Sequence, residues 1–133
     1  MKDIHELITN LITFFRPTYQ ININKDIHIG KCYLMDINKI KESIKADNYE
    51  LSQHALERAL ERDIWKEDIE HVIINGEIIE EYEDDKPYSS CLIFGKDEKG
   101  EPIHIVCAFS PIIRVITIYR PDENKWIEYK RRK

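Results

Sequence analysis

Ile103-His-Ile-Val-Cys-Ala-Phe-Ser-Pro-Ile-Ile-Arg-Val-Ile-Thr-Ile-Tyr119 decides the fold. Ser110-Pro111 splits it into two short runs rich in β-branched residues, each the length of a strand and too short for a buried helix. The pair predicts two antiparallel strands with a tight connection. On the first, His104, Val106 and Ala108 share one face. The second, Ile112 to Tyr119, is apolar on both parities, which predicts a central strand covered on both sides. Working backward, Ser90 to Phe94 and Glu77 to Tyr82 have the same texture, with Lys96 to Gly100 as a hairpin loop. Together these make a meander of about four strands.

Upstream of Glu77 the hydrophobic period changes to that of helices. Ser52 is suited to cap a helix from Gln53 to about Arg62, because its hydroxyl can accept from first-turn amides. Asp63 and Ile64 read as a break, and a second helix follows from about Lys66 to Asn75. Ile64 and Ile69 are spaced to staple across a cap at Trp65. Asn75-Gly76 predicts a left-handed helix end. Tyr49 to Leu51 reads only as a short lead-in. Ile37, Ile40 and Ile44 mark one more helical face after Met35. The whole predicts an α+β domain in which two to three helices pack on one face of a curved, mostly antiparallel sheet.

Residues 1–34 have a different pattern. Ile4, Leu7, Ile8, Leu11, Ile12 and Phe15 predict an amphipathic helix that Pro17 stops, and Tyr19 to Gly30 reads as one or two short strands. The organisation predicted is an N-terminal extension over 1–34 and a principal domain over 35–133. The 133 residues, 42% of them hydrophobic, are enough for one core without disulfides or metal. No run is long and apolar enough for a membrane span, and no secretory signal opens the chain, so the expectation is a cytoplasmic protein. Cys32, Cys91 and Cys107 lack zinc-site spacing and are expected to be reduced thiols in or near the core.

Net charge is −5, which excludes nucleic-acid binding through overall positive charge. The distribution is uneven. Glu77, Glu80, Glu81, Glu83, Asp84 and Asp85 crowd one span, expected to be a solvated turn region. Arg114, Arg120, Lys125 and Lys130 to Lys133 gather near the end, where a basic face for an anion competes with a frayed tail, the latter favoured for the last four residues. Neither a metal site nor a nucleotide-binding loop is apparent.

Two groups of side chains have chemical potential. His54, Arg58 and Arg62 fall at a spacing of four along one border of the Gln53 helix, a cationic edge carrying an imidazole. The competing expectation is that Arg58 pairs with Glu61 and Arg62 offsets the helix dipole. On the strands, His104 is expected to approach Thr117 and Tyr119, unless it is simply a hydrogen-bonded core histidine. Arg114 and Arg120 have the opposite parity. Arg114 is expected to pair with an acidic neighbour, whereas Arg120, at a strand end, is freer to meet a ligand.

Gln53-His-Ala-Leu-Glu-Arg-Ala-Leu-Glu-Arg-Asp-Ile, Glu67-Asp-Ile-Glu, Asn75-Gly-Glu-Ile-Ile-Glu-Glu-Tyr, Pro102-Ile-His-Ile-Val, Ile116-Thr-Ile-Tyr-Arg-Pro-Asp and Trp126 follow one another in an order that resembles a single family. It is the domain-of-unknown-function family numbered four-two-five-eight, and the resemblance runs from about Ile37 to the end. By resemblance, the family belongs with the RelE/ParE-like toxins, near MqsR and BrnT, and is encoded beside a zinc-finger antitoxin of the YgiT type. Asp63 stands where the family usually has glycine, and Trp65 where it usually has a serine or threonine cap.

The resemblance implies the toxin of a type II toxin-antitoxin pair. The reaction expected of it is metal-independent endoribonuclease cleavage, without cofactor, of free or ribosome-bound RNA by 2′-hydroxyl attack. Such chemistry needs a base, cations for the phosphorane and an acid. The assignments are His54 or His104 as base or acid, Tyr119 as a second proton donor or stacking group, and Arg58, Arg62 and Arg120 as phosphate ligands. Two alternatives stay open: a non-nuclease toxin that inhibits a target such as gyrase, and a non-catalytic interaction module docking through its acidic edge.

Overall fold

A computed structural model describes residues 36–133. The helix over Lys2 to Phe15, the strands over Tyr19 to Gly30 and Cys32 lie outside the described residues. The described order is α1 (Ile37–Lys45), β1 (Tyr49–Leu51), α2 (Gln53–Glu61), α3 (Lys66–Ile74), β2 (Glu77–Tyr82), β3 (Ser90–Lys96), β4 (Pro102–Ala108), β5 (Ile113–Tyr119), β6 (Trp126–Ile127) and β7 (Arg131–Arg132). It is an α+β fold with three helices on a mostly antiparallel five-stranded sheet ordered β1-β5-β4-β3-β2.

The helices begin where side-chain acceptors meet their orphan amides. Asp36 accepts from the Asn38 N–H at 2.9 Å, and Ser52 accepts from the Ala55 N–H at 2.9 Å. Trp65 has no acceptor, so α3 starts differently: Asp68 reaches back to the Trp65 backbone N–H at 2.9 Å. Asp63 has φ 53, the left-handed region that glycine adopts most cheaply. Its carboxylate also accepts from the Trp65 indole N–H at 2.8 Å. The two departures from the family pattern are therefore partners across one junction.

Three expectations are corrected. Tyr49 to Leu51 is a strand, pairing parallel to β5 with Tyr49 opposite Ile113. Three residues are too few to show a strand period, and a parallel partner far along the chain leaves no local turn signal. The Asn75-Gly76 end of α3 is not left-handed: Asn75 has φ −100, and among the described residues the only glycine with positive φ is Gly100. Gly76 is needed for space instead, since a Cβ there would lie 2.4 Å from the Val72 carbonyl oxygen and 2.7 Å from that of Phe94. Gly95 on β3 meets the same Val72 carbonyl, at 2.5 Å, so the end of α3 lies directly against the strand. Finally, β5 is interior in the sheet but covered on one face only, with Arg114 and Ile116 exposed.

A β-bulge explains that last result. Ala108 pairs with Arg114 and Cys107 with Val115, but Val106 pairs with Thr117, leaving Ile116 as the extra residue. Parity reverses across the bulge. Arg114 therefore shares the face of Thr117 and Tyr119, which simple alternation denies it, while Val115 and Ile118 both face the core.

The core lies between the sheet and the helices, where Ile93, Ile103, Ile105, Val115 and Ile118 meet Ile40, Ala55, Ala59, Ile69, Val72 and Ile73. Cys91 and Cys107, directly opposite each other on β3 and β4, are buried free thiols, as expected. Burial pushes Cys91 up to about 12 and Cys107 well above the ordinary thiol range, so neither is a nucleophile at neutral pH.

The other sheet face is partly covered by the β6–β7 hairpin, contrary to the expectation of a frayed tail. Lys130 pairs with Glu77 at 3.0 Å, and Arg132 grips Glu80 through Nε at 2.8 Å and a terminal nitrogen at 3.1 Å. The acidic and basic clusters, far apart in sequence, are thus one interface. Burial disfavours the Glu80 charge, but hydrogen bonds from Arg132 and Tyr82 outweigh it and hold its pKa below the usual carboxylate range. No described helix is long and apolar enough to cross a membrane.

Candidate functional site

On the non-helical face of the sheet the bulge brings Arg114, Thr117 and Tyr119 of β5 into one row against β4. His104, Val106 and Ala108 stand opposite Tyr119, Thr117 and Arg114. β1 ends at Leu51, leaving the outer edge of β5 free beyond Val115, and the start of α2 attaches to that edge. The Ser52 N–H donates to the Val115 carbonyl at 2.9 Å, and its hydroxyl donates to the Ile116 carbonyl at 2.8 Å. The capping hydroxyl of α2 is thus also what ties the helix to the bulge.

That attachment brings His54 around the sheet edge, with Nε2 3.0 Å from Thr117 Oγ1. His54 is exposed. Arg58 lies one turn further along the same helix and pairs with Glu61; Arg62 is 3.6 Å from the same carboxylate. Exposed pairs of this kind contribute at most about 1 kcal/mol, so both guanidinium groups can be drawn to a more highly charged anion. The Arg58–Glu61 pairing set against the phosphate role is therefore present without excluding it.

His104 is placed differently. It is fully buried, with Nε2 2.6 Å from the Tyr129 carbonyl and Nδ1 3.1 Å from the Tyr119 hydroxyl. A carbonyl only accepts, so Nε2 carries the hydrogen and Nδ1 accepts from Tyr119. The Trp126 ring stands edge-on at 4.6 Å, and Arg132 covers that indole at 4.7 Å. Burial lowers the His104 pKa, and Arg132 lowers it further, against opposing effects of the Tyr129 carbonyl and Glu80. The imidazole is the neutral centre of the hairpin's contact with the sheet. Glu128 and Tyr129, both at positive φ without being glycine, turn the hairpin so that the Tyr129 carbonyl meets it.

The two histidines are thus joined to the same strand at Thr117 and Tyr119, about 7 Å apart by strand rise, one open and one closed. Tyr119 lies between them, half-buried, with its phenol pKa raised by burial. Arg120 is separated from this group at the end of the sheet, 3.5 Å from Asp97 and 3.4 Å from Glu101. Asp97 also accepts from the Lys99 and Glu101 amides, so Arg120 braces the β3–β4 turn.

Sequence reasoning missed the groove beside Thr117. A cavity of about 480 Å³ opens over the sheet between the loop after β2 and the bulge, with Lys86, Tyr88, Ser90, Arg114 and Ile116 among its lining. Arg114 sits in it because of the bulge, and its one ion pair among the described residues is with Glu50, at 3.6 Å. The signal was Tyr88 and Lys86 in a loop, which becomes meaningful only once the strands are registered. Among the described residues, no three His, Cys, Asp or Glu side chains are grouped to hold a metal ion.

The arrangement defines a small α+β protein with a helix-backed sheet and one open, polar sheet face. Residues 51–120, just over half the chain, match the family described as Domain of unknown function (DUF4258), and the chain belongs to that family. The match is narrower than the span from Ile37 to the end over which the motifs were read. No curated protein and no solved structure matches the chain significantly.

Proposed function

We propose that this protein is the RelE-like toxin of a type II toxin-antitoxin pair and cleaves RNA without a metal, by attack of a ribose 2′-hydroxyl on the adjacent phosphate. The observation that carries this reading is His54: an exposed imidazole, oriented by Thr117, on the same border of α2 as two arginines that share the exposed Glu61 carboxylate, and two residues along from Ser52, which lines an open groove.

In the proposed step, His54 takes the 2′-hydroxyl proton as the 2′-oxygen bonds to phosphorus. The bond from phosphorus to the 5′-oxygen breaks, and that oxygen receives a proton from Tyr119. Arg58 and Arg62 offset the charge gained by the phosphorane oxygens. Burial raises the Tyr119 phenol pKa, which makes it a weaker acid than a free phenol, yet it remains more acidic than the alcohol its proton would create at the 5′-oxygen. His104, shielded by the hairpin, acts through Tyr119 as a positioning residue. Arg120 is tied to two carboxylates and has no part. An antitoxin, by the family resemblance a zinc-finger protein of the YgiT type, would silence the protein by covering this face.

The test is cleavage of end-labelled RNA by the full chain in the presence of a chelator, beside growth and total RNA in cells expressing it with and without the neighbouring gene. Fragments ending in a 2′,3′-cyclic phosphate, reduced about 100-fold or more by His54→Ala, are expected. Growth arrest with intact RNA would instead indicate a toxin of the gyrase-inhibiting kind. No arrest and no cleavage would leave an interaction module.

A further inference from the structure

The groove has a composition that the proton-transfer chemistry leaves unused. Val106 and Ala108 form part of its floor, and Ile116 and Pro87 line it with apolar surface. Tyr88 stands in its wall and is 44% exposed. Its position suits a ligand with a flat apolar face. At about 480 Å³, the cavity lies within the roughly 300–1,000 Å³ usual for small-molecule sites.

The charged groups of the lining are two carboxylates, Asp85 and Glu50, and two cations, Lys86 and Arg114. Asp85 accepts a hydrogen bond from Ser90 through one carboxylate oxygen, which fixes the group at the cavity wall and leaves its other oxygen free to accept. Lys86 makes no ion pair among the described residues. The one ion pair of Arg114 among the described residues is its long contact to Glu50. A ligand that satisfies this lining has a planar apolar ring, hydrogen-bond donors at one edge and an attached anion.

We propose that the groove is a nucleobase subsite of the RNA-acting face, holding one unpaired base against Tyr88 and preferring bases that carry an exocyclic amino group. This rests on the reading of the open face as an RNA site and names the substrate feature it selects. Single-stranded RNA is ordinarily read by stacking on aromatic rings and by hydrogen bonds to base edges, and carboxylates accept from the amino group of cytosine. Adenine, cytosine and guanine each offer Asp85 an amino N–H. Uracil offers a single N–H flanked by two carbonyls, which repel a carboxylate. Lys86 and Arg114 take the flanking phosphates. The attachment of Ser52 and Ile116 to both the groove and α2 puts the next phosphate toward His54.

The experiment titrates the full chain with fluorescent 2′-deoxy hexamers of A, C and U, which lack the attacking hydroxyl and so report binding alone, and measures cleavage of an all-ribose RNA in parallel. The A and C hexamers are expected to bind at least fivefold more tightly than the U hexamer. Tyr88→Ala is expected to weaken the A and C hexamers tenfold or more, since stacking on an aromatic ring contributes strongly per base. Asp85→Asn, which presents a donor where the carboxylate presented an acceptor, is expected to bring the ratio below twofold while the protein keeps its thermal midpoint. Equal affinities for the three hexamers, or a Tyr88→Ala protein that binds like the parent, overturns the subsite while continued cleavage leaves the RNA reading standing. Loss of both hexamer binding and cleavage in the parent protein overturns the two together, and the groove is then a surface for a protein partner.

Discussion

Replacing His104 by alanine separates the structural histidine from the chemical one. The substitution leaves the Tyr129 carbonyl without its donor inside a closed contact and removes the ring against which Trp126 stands. An unpaired buried acceptor costs about 1–3 kcal/mol, and the lost ring contacts with the void beneath the indole add about 1–2 kcal/mol. Tyr119 is half-buried, so its hydroxyl can turn to water and adds little. A loss of about 2–5 kcal/mol follows, bounded above by what the hairpin contributes when docked. Urea unfolding in a Trp65→Phe background, followed by tryptophan fluorescence and by far-ultraviolet circular dichroism, measures it, Trp126 then reporting the hairpin and backbone dichroism the whole domain. His54→Ala, on an exposed border of α2, is expected to stay within about 0.5 kcal/mol of the parent while abolishing cleavage. A His104→Ala protein destabilised by less than about 1 kcal/mol would refute the reasoning, because a buried doubly bonded imidazole cannot be removed so cheaply. So would a greater loss of stability in His54→Ala than in His104→Ala.

The His104 pKa is lowered by folding, so the unfolded chain binds the proton more readily; the stability this neutral group contributes is complete above its unfolded value near 6.5 and is lost as pH falls toward the folded one. Urea midpoints should therefore drop between pH 7 and pH 5.5, and His104→Phe should flatten that limb, with Glu80 and Arg132 still charged beside it. Gly95→Ala drives a Cβ to 2.5 Å from the Val72 carbonyl, backbone against backbone, and is expected to cost about 1–3 kcal/mol by the same unfolding measurement. Ser52→Ala removes both the cap of α2 and its tie to Ile116; differential scanning calorimetry should show a loss of about 1–2 kcal/mol, with His54 less well held against Thr117 and cleavage slower.

Much of the architecture is local in origin and therefore readable along the chain. Ser52 caps α2 as its place before Gln53 suggested, because capping needs only residues three apart; the Asp68 bond that closes the start of α3 is equally local but was not singled out. The strands from Glu77 onward follow their β-branched texture, and Cys91 and Cys107 are the inert core thiols their surroundings suggested. The α2 edge carrying His54, Arg58 and Arg62 was legible for the same reason, since helical period alone puts the three on neighbouring turns.

What escaped the sequence depends on partners remote in the chain. β1 is a strand only because β5 lies beside it, 64 positions on from Tyr49 at Ile113. Gly76 and Gly95 are dictated by one carbonyl of α3 rather than by backbone torsion. The single extra residue at Ile116 decides which face Arg114 takes, and no periodicity predicts where a bulge will fall. The C-terminal cations close on Glu77 and Glu80 because unlike charges carried on strands can meet only once the sheet exists. The sequence by itself determined the helices, strands β2 to β5 and the identities of the reactive side chains, since these follow from local period and chemistry. Only the tertiary structure decided that His54 stands open beside a groove and His104 lies closed beneath Trp126, because exposure is a property of what packs above a residue and not of the residue.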